Sequence, residues 1–186
     1  MKTNLGTCDN PHDALLDLGS DFFGPDLVDA TLMPPDQVPS PFDGLLVHNE
    51  HMTTSLQRYH GLPVELEVLE ERTNQDLYHR KILLTVQGTD HVVEVGVARI
   101  NLGCTSDDVR AEIQKRETPL GDILIRHNVM RRIEPRWFFR FERPGPLIAA
   151  FDRPIDGPVY GRVGMIYFDE EPAIELLEVV APDKAL

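Results

Sequence analysis

Two arginines lie in segments that have the alternating pattern of half-buried strands. Arg80 belongs to LYHRKILLTV and Arg99 to HVVEVGVARINL, with the short connection QGTDH between them. In each segment the arginine shares its face of the strand with apolar residues. If the hairpin loop has an even number of residues, both guanidinium groups reach the same face of the sheet on neighbouring strands.

Two like charges on one apolar face repel each other and are costly to bury, so an anion is expected between them. Guanidinium groups bind carboxylates bidentately, which favours a carboxylate ligand. One alternative stays open, in which both arginines extend past the sheet edge or pair with some of the 31 acidic residues. Because the net charge is −13, a bound anion needs a few buried cations rather than a general positive field.

The segment AIELLEVV offers two candidate acids, Glu175 and Glu178, on opposite faces of a predicted strand. A buried glutamate near an arginine could donate a proton or hold a ligand hydroxyl. Periodicity alone does not indicate which of the two is buried, and both could be solvated or paired on the surface.

The other reactive side chains do not form a recognisable motif. His48 and His51 lack the H-E-x-x-H spacing and an evident third ligand, so no metal site is predicted. Met52 falls on the inward face of a predicted helix, where core packing is its simplest explanation. Cys8 and Cys104 are expected to be free thiols in a reducing compartment.

The pattern around these residues predicts one α+β domain over residues 40–186, preceded by an arm and connector over residues 1–39 with one short helix at most. An amphipathic helix is predicted over residues 41–60, and Gly61 ends it. Two short helices are expected in tandem, starting near Ser106 and near Thr118.

Strands are predicted before and after this helical pair. They start at LPVELEV and continue through the two arginine-bearing segments, RWFFRFE, LIAAF, VYGRVGMIYF and AIELLEVV. The sum is an antiparallel sheet of about six strands with helices on one face.

Composition excludes several classes of protein. The acidic chain shows no basic face of the kind that binds nucleic acid or an acidic membrane surface. No apolar run approaches 18 residues, and the first residues lack a signal-peptide pattern. A protein in the cytoplasm is therefore expected, with a monomer favoured.

Several segments, taken in order, resemble the chorismate pyruvate-lyase family. They extend from about residue 50 to residue 182, and the most specific of them is TPLG. The matching segments are HMTTSLQRYHGLPVELEVLEE, LYHRKILL, VARINL, ETPLGDIL, VYGR and ELLEVVAP.

The resemblance implies a six-stranded antiparallel sheet with helical flaps over an internal site. It also implies removal of pyruvate from chorismate to leave 4-hydroxybenzoate, for quinone biosynthesis, without metal or organic cofactor. Carried over by position, the implied catalytic residues are Arg80 and Glu178, and the substrate contacts add Met52, Arg99 and the backbone of Leu120.

Two departures bear on this resemblance. Residues 130–159 are longer than in the better-known bacterial enzymes, and residues before Ser40 have no counterpart. A related fold serves as the effector-binding domain of some transcription regulators, so a non-catalytic domain that binds a small aromatic carboxylate is the alternative expectation.

Overall fold

A seven-stranded antiparallel sheet forms the centre of the molecule. The computed structural model describes residues 5–142 and 145–181. The strand order is β1-β5-β6-β7-β4-β3-β2. The strands are β1 (Thr31–Met33), β2 (Val64–Asn74), β3 (Leu77–Val86), β4 (Val92–Asn101), β5 (Arg131–Phe141), β6 (Val159–Phe168) and β7 (Glu171–Val180). The α+β class is confirmed, with seven strands where about six were predicted.

The hairpin between β3 and β4 contains a register shift that the sequence did not reveal. The backbone N–H of Val86 donates to the carbonyl of His91, so the loop does have an even number of residues, 87–90. The register then shifts by one residue, because Thr85 pairs with Val92 whereas Leu84 pairs with Glu94. A one-residue shift moves every later side chain to the other face of the sheet.

The prediction that Arg80 and Arg99 share a face is therefore wrong. Arg80 lies opposite Ala98, and Arg99 lies opposite His79. The two guanidinium groups consequently project from opposite faces of the sheet.

Four helices cover the face that carries Arg80. They are α2 (Phe42–Leu46), α3 (Met52–His60), α4 (Asp107–Lys115) and α5 (Leu120–Arg126). The tandem pair starts as predicted, and the Ser106 side chain accepts a hydrogen bond from the backbone N–H of Val109. The single helix predicted over residues 41–60 is instead two helices, separated by residues 47–51.

The opposite face is covered by residues from the predicted arm. Helix α1 (Pro11–Phe23) begins at Asn10, whose side chain accepts from two backbone N–H groups, and a 3-10 helix follows at Gly24–Asp29. Leu15, Leu18 and Phe23 pack against β4 and β7 residues such as Val97 and Leu177. Helices thus lie on both faces of the sheet and not on one face as predicted, because the apolar side of α1 packs against the second face.

Two further segments differ from expectation or lie beyond description. LIAAF, predicted as a strand, contributes to the short helix α6 (Pro146–Ala149), which begins with a proline at its first turn. The ends of the predicted arm and domain, residues 1–4 and 182–186, lie outside the described residues. Within residues 5–142 and 145–181, no helix is long and apolar enough to cross a membrane.

Candidate functional site

A small chamber lies between the Arg80 face of the sheet and the first residues of α3 and α5, with a cavity volume of about 50 Å³. Most of the lining is apolar, and it includes Met52, Leu66, Ile82, Leu84, Leu120 and Leu176. Five charged or polar side chains also reach the chamber, namely His51, Thr53, Arg80, Glu94 and Glu178.

Arg80 brings a buried guanidinium group to this chamber. The residue is 2% exposed, and its Nε and Nη1 atoms have no hydrogen-bond partner in the described part of the chain. The Tyr78 ring lies beside it, with its centroid 5.8 Å from Cζ, and the Tyr78 hydroxyl donates to Glu71 at 2.6 Å. Burial lowers the pKa of Arg80, and Tyr78 and Glu71 only partly offset that effect.

Glu178 also faces the chamber, where its charge is matched by a buried arginine on the next strand. Arg162 lies directly opposite Glu178 and donates from Nε to Oε2 at 2.6 Å. Both residues are buried. Because Arg162 forms this ion pair, its charge is already balanced by Glu178. Arg80, in contrast, can pair with a ligand.

The other nitrogens of Arg162 bind the segment between α2 and α3. Nη1 donates to the carbonyls of Leu46 at 3.0 Å and His48 at 2.9 Å, and Nη2 donates to the carbonyl of Glu50 at 3.2 Å. These carbonyls are turned toward a guanidinium group rather than along a helix axis. The predicted helix over 41–60 is therefore interrupted here, which brings His51 and Met52 to the chamber.

Glu94 is the second acid in the chamber, and unlike Glu178 it forms no ion pair with any residue that the structure describes. It is 3% exposed, and its Oε2 atom has no hydrogen-bond partner among the described residues. Burial raises the pKa of Glu94 well above its ordinary value, and the nearby charge of Glu178 raises it further, against the opposing effect of Arg162. The environment of Glu94 therefore favours its protonated form.

His51 lines the chamber on the side of α3 and is held in place by Arg131. Burial, followed by the charges of Arg131 and Arg162, lowers the pKa of His51 to about 4, so the imidazole is neutral. Its Nε2 accepts from Arg131 Nε at 2.6 Å. Gly121 packs tightly against the same histidine, since a Cβ atom there would lie 2.9 Å from the Cβ of His51.

The structure brings together four of the five residues that the sequence analysis named. Met52, Arg80, Leu120 and Glu178 all line the chamber. Arg99 does not, because it lies on the other face and donates to Glu175 at 3.2 Å and also to Asp17.

Two buried charged residues, Glu94 and Arg162, were not predicted from the sequence. Each has a signal in the sequence, since each is a charged residue inside an apolar strand pattern, VVEVGVA and VYGRVGMIY. In a strand that is buried on both faces, a charged side chain is costly unless it is paired, so its presence indicates an ion pair or a functional site. Glu175 lies on the face opposite Glu178 and accepts from the backbone N–H of Gly6.

The remaining reactive groups are accounted for by local contacts. His48 donates from Nε2 to the carbonyl of Leu45 at 2.6 Å. Cys8 and Cys104 are free thiols. Across the two described ranges, no group of three or more His, Cys, Asp or Glu side chains is arranged to hold a metal ion.

The raised pKa of Glu94 predicts a specific dependence of stability on pH. Above its ordinary pKa of 4.5 the unfolded chain loses this proton, whereas the folded chain keeps it. Wild-type stability should therefore fall, relative to Glu94→Gln, by up to about 1.4 kcal/mol per pH unit until the folded pKa is passed.

Urea denaturation of both proteins between pH 5 and pH 8 measures this difference. A matched control is Glu65→Gln, which changes an exposed glutamate on the edge strand β2. The free energy of unfolding of Glu65→Gln should change with pH in the same way as that of wild type. If Glu94→Gln also follows wild type, Glu94 is not a buried acid with a raised pKa.

No protein-family model matches the sequence, and no curated protein matches it significantly. Solved structures do match. PhnF from Mycobacterium smegmatis superposes with a TM-score of 0.55 at 11% identity, over 75% of this chain and 67% of that chain. The ligand-binding domain of a candidate GntR-family transcriptional regulator from Bordetella bronchiseptica has a TM-score of 0.49 at 9% identity, over 65% and 87%.

At these identities the likeness is one of fold. The chain shares the α+β fold of PhnF.

Proposed function

We propose that this protein binds a small aromatic carboxylate in the chamber, with the ligand carboxylate on Arg80. The observation that carries the proposal is the Arg80 guanidinium, which is buried and has two nitrogens without a partner in the described ranges. A buried charge of this kind is costly unless something pairs with it. A carboxylate matches the paired donors of a guanidinium group.

The walls of the chamber suit the ring of such a ligand. Ile82, Leu84, Leu176 and Met52 offer apolar contacts, and Leu120 closes the side formed by α5. A flat apolar ring between these side chains excludes water and so strengthens the contact between its carboxylate and Arg80.

The charges of the chamber favour one carboxylate over two. Arg80 is the one arginine among the described lining residues, since Arg162 is paired with Glu178 and Arg99 lies on the other face. A hydroxybenzoate has one carboxylate, whereas chorismate has two. Binding without turnover, as in an effector-sensing domain, is therefore the function that the geometry supports best.

A chorismate lyase is the second candidate, and a specific observation favours it. Four of the five residues that the resemblance implies line a single chamber, namely Arg80, Glu178, Met52 and Leu120. In that function Arg80 would hold a carboxylate of chorismate and Glu178 would contact the ring hydroxyl. Loss of pyruvate yields an aromatic product, so the contribution of the protein is mainly to position the substrate.

One pair of experiments on the full chain separates these functions. Calorimetric titration with 4-hydroxybenzoate measures binding, and incubation with chorismate followed by product identification measures turnover. Binding without pyruvate release above the uncatalysed rate supports the sensing domain. Equal amounts of pyruvate and 4-hydroxybenzoate support the lyase. If the protein neither binds 4-hydroxybenzoate nor releases pyruvate from chorismate, the assignment of Arg80 as a carboxylate site is rejected.

A further inference from the structure

The chamber has two chemically different ends, and the register of the strands defines them. Arg80 lies opposite Ala98 on β4, and Glu178 lies opposite Gly96 of the same strand. Glu94 is two residues beyond Gly96 on the same face. Arg80 and Glu94 are thus separated by four residues of β4, or roughly 13 Å along the strand.

Gly96 exposes the carboxyl group of Glu94 to the chamber. A Cβ atom at position 96 would lie 3.0 Å from Oε1 of Glu94 and 3.2 Å from Ile82. The carboxyl group therefore extends over a residue that has no side chain, at the floor of the chamber. Its Oε2 atom has no partner among residues 5–142 and 145–181.

Within the described ranges, no cation forms an ion pair with Glu94. Arg162, whose charge acts on Glu94, is paired with Glu178 at 2.6 Å and with three backbone carbonyls. Burial and the neighbouring Glu178 both favour the protonated form of Glu94. A carboxylate at Glu178 can only accept a hydrogen bond, whereas a protonated Glu94 has a hydrogen to donate.

We propose that Glu94 is a specificity-determining residue, which donates a hydrogen bond to a hydroxyl group at the end of the ligand remote from Arg80. Glu178 accepts the hydrogen of the same hydroxyl, so donor and acceptor together recognise a group that does both. This inference rests on the proposed carboxylate site at Arg80. It narrows the ligand class to aromatic carboxylates with a hydroxyl group para to the carboxylate.

Three para-substituted benzoates test this arrangement, because their substituents differ in hydrogen bonding. A phenolic hydroxyl donates and accepts, an aromatic amine donates but accepts poorly, and benzoate itself does neither. Wild-type protein should bind 4-hydroxybenzoate about tenfold more tightly than 4-aminobenzoate, which is the gain from one satisfied buried hydrogen bond. Benzoate should bind more weakly than either.

Three variants test whether the preference for the hydroxyl group depends on a hydrogen-bond donor at position 94. In Glu94→Leu the preference for the hydroxyl over the amine should fall to about twofold or less, because the donor is lost. Glu94→Gln has an amide N–H that can donate, so it should retain most of the preference. Glu175→Gln changes a glutamate on the opposite face of β7, and it should leave the preference unchanged.

Calorimetric titration of each protein with each ligand gives the affinity ratios. Equal affinity for the hydroxyl and the amine in wild type would overturn the role of Glu94, as would a tenfold preference that persists in Glu94→Leu. If Glu94→Leu does not fold, the wild-type ratio decides alone. If the protein binds all three ligands without preferring the hydroxyl group, only the role of Glu94 is contradicted. If it binds none of them, the carboxylate site at Arg80 is contradicted as well.

Discussion

Arg80→Met is expected to abolish ligand binding and, at the same time, to raise the thermal stability of the ligand-free protein. Loss of a buried charge partner costs a complex about 2–5 kcal/mol, which corresponds to a roughly 30-fold to several thousand-fold weaker affinity. Methionine matches the unbranched stem of arginine as far as Nε, and its flexible side chain can pack in the apolar chamber without a charge.

The gain in stability follows from the protein environment of Arg80. Two of its nitrogens are buried without partners in the described chain, and burial lowers its pKa. Exchange of buried charges for packed apolar groups is often stabilising by about 1–4 kcal/mol. In a domain of this size each kcal/mol raises the melting temperature by about 2–4 °C.

Arg99→Met is the matched control, because it changes the arginine on the other face of the neighbouring strand. It removes the ion pairs with Asp17 and Glu175, so the melting temperature should fall. Affinity for 4-hydroxybenzoate should stay within about threefold of wild type, because Arg99 does not line the chamber. Calorimetry and thermal denaturation provide both readouts. An Arg80→Met protein that binds normally, or that is less stable than wild type, would remove Arg80 from the proposed role.

Arg162→Met should have the opposite effect on stability. It leaves Glu178 buried without its cation and deprives the carbonyls of Leu46, His48 and Glu50 of their donors. Breaking a buried pair from one side costs about 3–5 kcal/mol. The measurement is the free energy of unfolding in urea at neutral pH. A loss below about 1 kcal/mol would show that the pair is not structural.

A double variant tests whether the cost comes from the unpaired charge. In Arg162→Met/Glu178→Leu both charges are gone, so much of the stability lost in Arg162→Met should return. If the double variant is as unstable as the single one, the cost comes from the backbone carbonyls of residues 46–50. Glu178→Leu should still weaken binding of 4-hydroxybenzoate, since it removes the proposed acceptor.

The two arginines therefore have different tasks although both are almost fully buried. Arg162 is satisfied from all sides and holds the segment that leads into α3, so it positions His51 and Met52. Arg80 is held without a carboxylate partner within the described residues, which is a cost that a ligand can offset. A protein with a ligand site is often less stable than a variant in which the residues of that site are replaced.

Local patterns in the sequence determined most of the elements around the chamber. The alternation in LYHRKILLTV put Arg80 on the apolar face of β3, and the capping residue Ser106 marked the start of α4. These features depend on neighbours within a few residues, so they can be deduced from a single segment. The resemblance to the chorismate pyruvate-lyase family added Met52, Leu120 and the choice of Glu178 over Glu175.

Tertiary structure alone decided which charges meet. The register shift between Leu84 and Thr85 separates Arg80 from Arg99 and brings Glu94 to the chamber. The hydrogen bonds from Arg162 to residues 46–50 interrupt a helix that its own periodicity predicted as continuous. Alternation within a strand fixes which residues share a face, but the pairing between strands depends on contacts between residues far apart in the chain. No pattern within one segment carries that information.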